Sequence, residues 1–172
     1  FNVIDIEKIT GFPQLIGGRV KTLHPKIHSS ILADRGDQNH IKDLKKMEID
    51  TIDLVVCDLY PFSDTVDKKK DIDYCVENID IGGITLLRAA GKNFKYVTVI
   101  TNISQYQELI DHLKVNKGYS TYKFRLKKAN QAFKCSYNYD FQIFKWFNQL
   151  NKKEIRECIF PNEKLEDMLT YG

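Results

Sequence analysis

Arg19, Lys21 and Thr22 fall within four residues of one another. Together they offer a planar fork of donors, a point charge and a hydroxyl, a set suited to the oxygens of a phosphate or carboxylate. Solvated surface side chains explain the same residues equally well. Tyr60 follows an apolar run, where its phenol can donate to a substrate carbonyl; a tyrosine at the end of a strand serves packing as readily as chemistry. Gly82 and Gly83 precede an apolar segment. They let a ligand approach backbone amides at the positive end of a helix, and they equally let a helix pack closely on a sheet. His24 and His28 have the i, i+4 spacing of a helical metal pair, but Pro25 lies between them and no Glu follows His24 as in HExxH. No metal is therefore expected.

The elements that must hold these residues follow from patterning. Residues 11–30 mix Gly, Pro, His and cations without periodicity and read as a long surface loop, the kind of segment that carries function. The opening FNVIDI looks like a strand, and residues 37–48 read as a polar helix. The run 52–57 (IDLVVC) reads as a buried strand, ended by Pro61. An irregular stretch over 77–83 leads into a helix over 83–91, and 96–101 (YVTVIT) reads as a second buried strand. Strand, helix, strand in this order predicts a parallel α/β sheet. A helix over 104–115 follows. Across 120–150, Leu126, Ala129, Phe133, Tyr137, Ile143, Phe144 and Phe147 recur at helical spacing and predict a core or interface stripe.

With 172 residues and 42% apolar composition, the chain is long enough to bury a core without disulfides or structural metal. Its four cysteines are far apart in sequence, without CxxC or zinc spacing, which fits a reducing compartment. No apolar run reaches the roughly 18 residues of a membrane span and the start lacks a signal-peptide pattern, so a cytoplasmic protein is expected. Between Lys114 and Lys153 ten Lys or Arg face one acid, Asp140, with aromatics interleaved. That mixture suits single-stranded nucleic acid, but the outer side of an amphipathic helix gives the same composition and is the preferred reading.

The runs GFPQLIGGRVKTLHPKIH (11–28), DLVVCDLYPF (53–62), ENIDIGGITLLRAAGKN (77–93) and ANQAFKCSYNYD (129–140) resemble successive blocks of the IMP cyclohydrolase domain of the bifunctional purine biosynthesis protein family. The blocks stand in the family's order and cover most of residues 8–147. The resemblance implies an α/β, methylglyoxal-synthase-like fold, a mostly parallel sheet flanked by helices. It implies closure of the formylated carboxamide ribotide to IMP with loss of water, in a protein that also transfers a formyl group to AICAR. It further implies a cytosolic homodimer that needs no cofactor for the cyclisation, and 10-formyltetrahydrofolate for the formyltransferase domain.

Carried over residue by residue, Lys21 and Tyr60 match the family positions that hold and polarise the formyl group. Asp80 and Lys92 match those assigned to proton transfer. Arg19, Val20, Lys21 and Thr22, Cys57 with Asp58, and Asp80, Ile81, Gly82 and Gly83 match segments lining the nucleotide. The sequence departs from the family at Asp58, where Asn is usual, at Gly91 and Phe94 beside Lys92, and at Cys135 and Ser136, where His and Thr are usual. A Gly at position 91 predicts an early helix stop that swings Lys92 back toward the sheet. The family's opening strands and STGGT phosphate loop have no counterpart here, so the fold is expected to be N-terminally incomplete and the isolated chain inactive or unstable. Residues 1–150 are expected to form the cyclohydrolase domain, and 151–172 a linker toward a formyltransferase domain.

Overall fold

Leu54–Val56 (β1) and Thr98–Ile100 (β2) pair in parallel, with Leu54 opposite Thr98 and Val56 opposite Ile100. The computed structural model describes residues 2–67 and 71–150, so the linker expected over 151–172 lies outside the described residues. β2 is buried on both faces, as its continuous apolar run predicts, whereas only Val55 of β1 is buried. The expected buried strand over 52–57 is therefore shorter and one-sided. Leu54 and Val56 face outward, and among the described residues no strand pairs with the second edge of β1.

Helices fill the rest. They are α1 (Ile6–Thr10), α2 (Pro25–Leu32), α3 (Gln38–Lys46), α4 (Phe62–Asp67), α5 (Ile72–Glu77), α6 (Gly82–Lys92), α7 (Tyr106–Val115) and α8 (Tyr122–Gln149). Local caps explain where several begin. Asp5 accepts from the Glu7 amide and Gly11, at φ 68°, closes α1, so the strand expected over FNVIDI is not formed among its described residues and Ile6 begins a helix instead. The side-chain cap competes with strand pairing, and no partner strand lies beside these residues among those described. The long loop expected over 11–30 ends at His24, whose Nδ1 accepts from the Lys26 amide at 3.2 Å, with Pro25 preset for the first helical position. Asp37 and Asp71 cap α3 and α5 in the same way, and α5 occupies the start of the stretch read as irregular.

Two compact units divide the chain, residues 1–59 with 80–138 and residues 60–79 with 139–172. In the first, Ile27 and Ile31 of α2, Leu87 and Ala90 of α6, Val55, Val97, Val99 and Ala132 of α8 form one core. In the second, Phe62 is buried edge-on against Tyr139 and Trp146, at 6.3 and 5.5 Å between ring centres.

The face that α8 buries within the chain shares Ala129 with the stripe expected as core or interface, and little else. Phe124, Lys128, Ala129, Ala132, Ser136, Tyr139 and Trp146 are buried, while Leu126, Phe133, Tyr137, Phe144 and Phe147 remain substantially exposed. Ala129, Ala132 and Ser136 on the inner face let the middle of the helix approach its neighbours, and Phe133 and Tyr137 beside them fall outside. Lys128 is wholly enclosed, and its Nζ donates to Glu108 of α7 at 2.7 Å while Lys127 donates to the other carboxylate oxygen at 2.7 Å.

Both lysines hold the Glu108 carboxyl below its ordinary value of 4.5, Lys127 most strongly. The contribution of this cluster to stability is complete above that value, since the folded form releases the proton more readily, and it is lost as pH falls through the lowered folded value. Removing the acid alone strands a buried ammonium. Glu108→Ala is expected to cost about 2 kcal/mol, discounted for the half-exposed carboxylate, and Lys128→Met markedly less. Urea unfolding of the two variants at pH 7 checks the order, and the gap between Glu108→Ala and the parent should shrink in acid.

Candidate functional site

Leu15 and Val20 exchange backbone hydrogen bonds at 3.2 and 3.4 Å, closing a tight turn. Gly17 and Gly18 occupy it at φ 62° and 92°, values that a glycine adopts without strain. From this turn residues 19–22 run toward α6. Lys21 is exposed and makes no hydrogen bond or ion pair among the described residues, whereas Arg19 is engaged by its neighbours. Thr22 rests on the amino end of α6, where a Cβ built on Gly82 would lie 3.0 Å from its Oγ1.

Asp80 closes the same helix end. Its Oδ1 accepts from the Gly83 amide at 2.7 Å, at the positive pole of α6. Ile81, the exposed residue between them, begins the helix without a side-chain cap of its own. Gly83 is required by close approach, since a Cβ there would strike the Asp80 carboxylate and stand 2.9 Å from Leu59 Cδ2.

Cys57 follows β1, its amide donating to the Ile100 carbonyl at 3.0 Å. Its thiol is pushed up to about 11, first by burial, then by the negative charges of Asp80 and Asp58, and by Cys135. Cys135 of α8 is also pushed up, chiefly by burial and further by Asp58, against a hydrogen bond with Thr101 that lowers it. The carboxyl ends of both strands thus meet Asp58, Asp80 and two neutral thiols. In a parallel sheet this is the edge where ligands bind. Neither thiol supplies a nucleophile near neutral pH. The chemistry available is that of carboxylates, helix-end amides and the Lys21 ammonium.

Among the residues read from sequence, the structure brings together Thr22, Cys57, Asp58, Asp80, Gly82 and Gly83, with Arg19, Val20 and Lys21 on the segment that leads to Thr22. It does not bring Lys92 to them. The expected helix stop at Gly91 is corrected: α6 runs through Lys92, and Gly91 is buried in the helix beneath the Phe133 ring, where a Cβ would stand 3.1 Å from that ring. Close packing by Phe133, not a left-handed turn, is what this glycine serves. Eleven residues of helix put Lys92 about 15 Å from the amino end. Lys92 instead lines a cavity of about 470 Å³ with His28, Thr85, Arg88 and Phe133. Tyr60 belongs to the second compact unit and is exposed. The sequence reading missed Cys135 and Leu59 as parts of this region. The signal for Cys135 was its place beside Ala132 and Ser136 on the inner face of α8.

Among the described residues no three His, Cys, Asp or Glu cluster as a metal site, and no helix is long and apolar enough to cross a membrane.

Two family models together account for nearly the whole chain. An MGS-like domain matches residues 1–85 and the AICARFT/IMPCHase bienzyme matches residues 90–172. The chain belongs to the AICARFT/IMPCHase family. It is 48% identical over 172 residues to the bifunctional purine biosynthesis protein PurH of Prochlorococcus marinus (strain NATL2A), covering 99% of this chain and 32% of that protein. It is 43% identical over 177 residues to PurH of Acetivibrio thermocellus, covering 99% of this chain and 33% of that protein. The chain therefore spans about a third of the length of these AICARFT/IMPCHase relatives. The crystal structure of ForH superposes with a TM-score of 0.67 at 31% identity, over 83% of this chain and 74% of that one. The MGS-like α/β fold expected from the sequence is thus established for this AICARFT/IMPCHase family member, with more helix and a smaller sheet than the strand pattern suggested.

The paired negative charges at the strand ends have a measurable signature. Asp58→Asn removes one of the two charges that oppose Cys57 ionisation and should accelerate its alkylation by iodoacetamide roughly twofold at pH 8. Peptide mass spectrometry reads the rate at Cys57, and an unchanged rate means that burial alone sets it.

Proposed function

We propose that this chain is the IMP cyclohydrolase part of a cytosolic bifunctional purine biosynthesis protein. In this reading it closes the formylated carboxamide ribotide to IMP and releases water. The observation that carries the reading is the meeting of Thr22 with Gly82, and of Asp80 with the Gly83 amide, at one helix end, with the charges of Asp58 and Asp80 acting on Cys57 beside it. The relatives' printed names place them in purine biosynthesis.

The reaction is intramolecular, so its main demand is to hold amide and formyl groups face to face. One proton must move and one oxyanion must be met. Asp80, held ready by the α6 amide, takes the proton from the attacking nitrogen. The Lys21 ammonium, without a protein partner among the described residues, meets the charge that develops on the formyl oxygen. Thr22 and Arg19 orient the ribotide. No step calls for a metal or an organic cofactor; 10-formyltetrahydrofolate belongs to the formyl transfer proposed for the remainder of the protein.

Asp80→Asn retains an oxygen to cap Gly83 while removing the base, and Lys21→Ala removes the oxyanion partner from an exposed position. Each should lower kcat for IMP formation about 100-fold in the full-length protein without lowering its Tm. Turnover within a few-fold of the parent in both variants would reject the assignment.

Lys92, at the far end of α6, serves proton transfer in the site of a second subunit in this reading. Mixed dimers of Lys92→Ala and Asp80→Ala full-length chains should regain part of the parent rate, because one of the two sites then has both groups. Mixtures as inactive as either variant alone would take Lys92 out of the shared site.

A further inference from the structure

A second cavity, of about 480 Å³, opens at the other edge of the sheet, where Asp53, Leu54 and Thr98 mark the amino ends of β1 and β2. Three cations line it: Arg35 after α2, Lys95 before β2, and Arg125 in the first turn of α8. Arg125 is fixed from several sides. Its Nε donates to the Phe94 carbonyl at 2.9 Å, Nη2 to the Lys95 carbonyl at 2.7 Å, and Nη1 to both the Ser120 carbonyl and Oγ.

Arg35 spends fewer of its donors, with Nη1 on Asp53 at 2.6 Å and Nη2 on the Ile52 carbonyl at 3.0 Å. Both Arg35 and Lys95 lie over the Tyr96 ring, at 5.6 and 4.9 Å from its centre. The nearby carboxylates are Asp53, largely solvent-facing, and Asp34, which Lys95 approaches at 3.5 Å and Tyr96 Oη at 2.7 Å. Burial, and then the charge of Arg35, push Arg125 below its ordinary value. Arg125, held by carbonyls and a hydroxyl with no carboxylate of its own among the described residues, and Arg35, held by Asp53 and the Ile52 carbonyl, present two like charges to one cavity, an arrangement that an anion relieves. The amino end of α8, beside Ser120, adds to the positive potential.

We propose that this cavity binds a phosphate monoester, its oxygens taken by Arg35, Lys95 and the remaining donor of Arg125, with the Ser120 and Tyr96 hydroxyls beside them. Three cations against one dianion, with a helix end, make the phosphate the anchor, and the volume leaves room for a sugar or base beyond it. The site stands on the sheet edge opposite Asp58 and Asp80, and the inference is independent of the cyclisation proposed above.

Titration calorimetry of the full-length protein with ribose 5-phosphate, and separately with inorganic phosphate, tests it in the parent and in Lys95→Glu, Arg35→Gln and Lys21→Ala. The expected result is at least tenfold weaker binding in Lys95→Glu and Arg35→Gln, unchanged binding in Lys21→Ala, and an unliganded Tm for Lys95→Glu matching the parent. Binding of ribose 5-phosphate but not of inorganic phosphate confirms a monoester site. Equal affinity for both identifies free phosphate as a sufficient ligand and overturns the monoester assignment. Affinity lost in Lys21→Ala and retained in Lys95→Glu places all binding at the other edge and overturns the proposal.

Discussion

Parallel strands cannot be joined by a tight turn, so the chain leaving β1 must travel back to the starting edge before β2 can form. α6 makes that return, running Gly82–Lys92 between Leu54–Val56 and Thr98–Ile100. Its direction is therefore opposed to that of the strands, and its positive end is delivered to the edge where β1 and β2 finish. Everything assigned to the candidate site depends on this. Residues 19–22 need a surface to rest on, Asp80 needs an amide to cap, and Cys57 needs the ladder to fix it beside both carboxylates. The same geometry separates Lys92 from that edge by the length of the helix.

Two edges of one small sheet consequently differ in electrostatic character. At the carboxyl ends burial, and then the charges of Asp80 and Asp58, raise the Cys57 thiol and leave it neutral. At the amino ends Arg35, Lys95 and Arg125 face a common cavity. Between the two edges lies a core of β-branched and small residues, Val55, Val97, Val99, Ala90 and Ala132 among them, which carries no charge. The one enclosed cation of the first unit named here, Lys128, belongs to a different contact and is held by Glu108.

Elements with strong periodicity were legible from sequence. The helices over 38–46, 82–92 and 106–115 and the strand beginning at Thr98 lie where apolar spacing placed them. What escaped was decided by single local hydrogen bonds or by tertiary fit. Asp5 turned an apparent strand into a capped helix, and His24, an unusual cap, began α2 inside an apparent loop. For α8, helical spacing found a stripe of core or interface residues, but which face packs inside the chain was decided by close approach at Ala129, Ala132 and Ser136, and only Ala129 belonged to that stripe. Candidate site residues were recognised through the blocks of the family resemblance rather than through spacing. Spacing alone left Tyr60, Gly82 and Gly83 open between packing and chemistry. Gly91 could not be interpreted at all without seeing Phe133 over it.

Gly83 sits where an added β-carbon would strike the Asp80 carboxylate and stand 2.9 Å from Leu59 Cδ2. Every missense change of a glycine codon, whichever base is altered, introduces that carbon, so the conflict does not depend on the polarity or length of the new side chain. The atoms it meets are the ends of two side chains, so a substitution is admitted only where one of them gives way. Moving Leu59 disturbs its packing, and moving Asp80 takes the carboxylate off the helix end. In genetic terms the helix end and its acid are coupled through one contact.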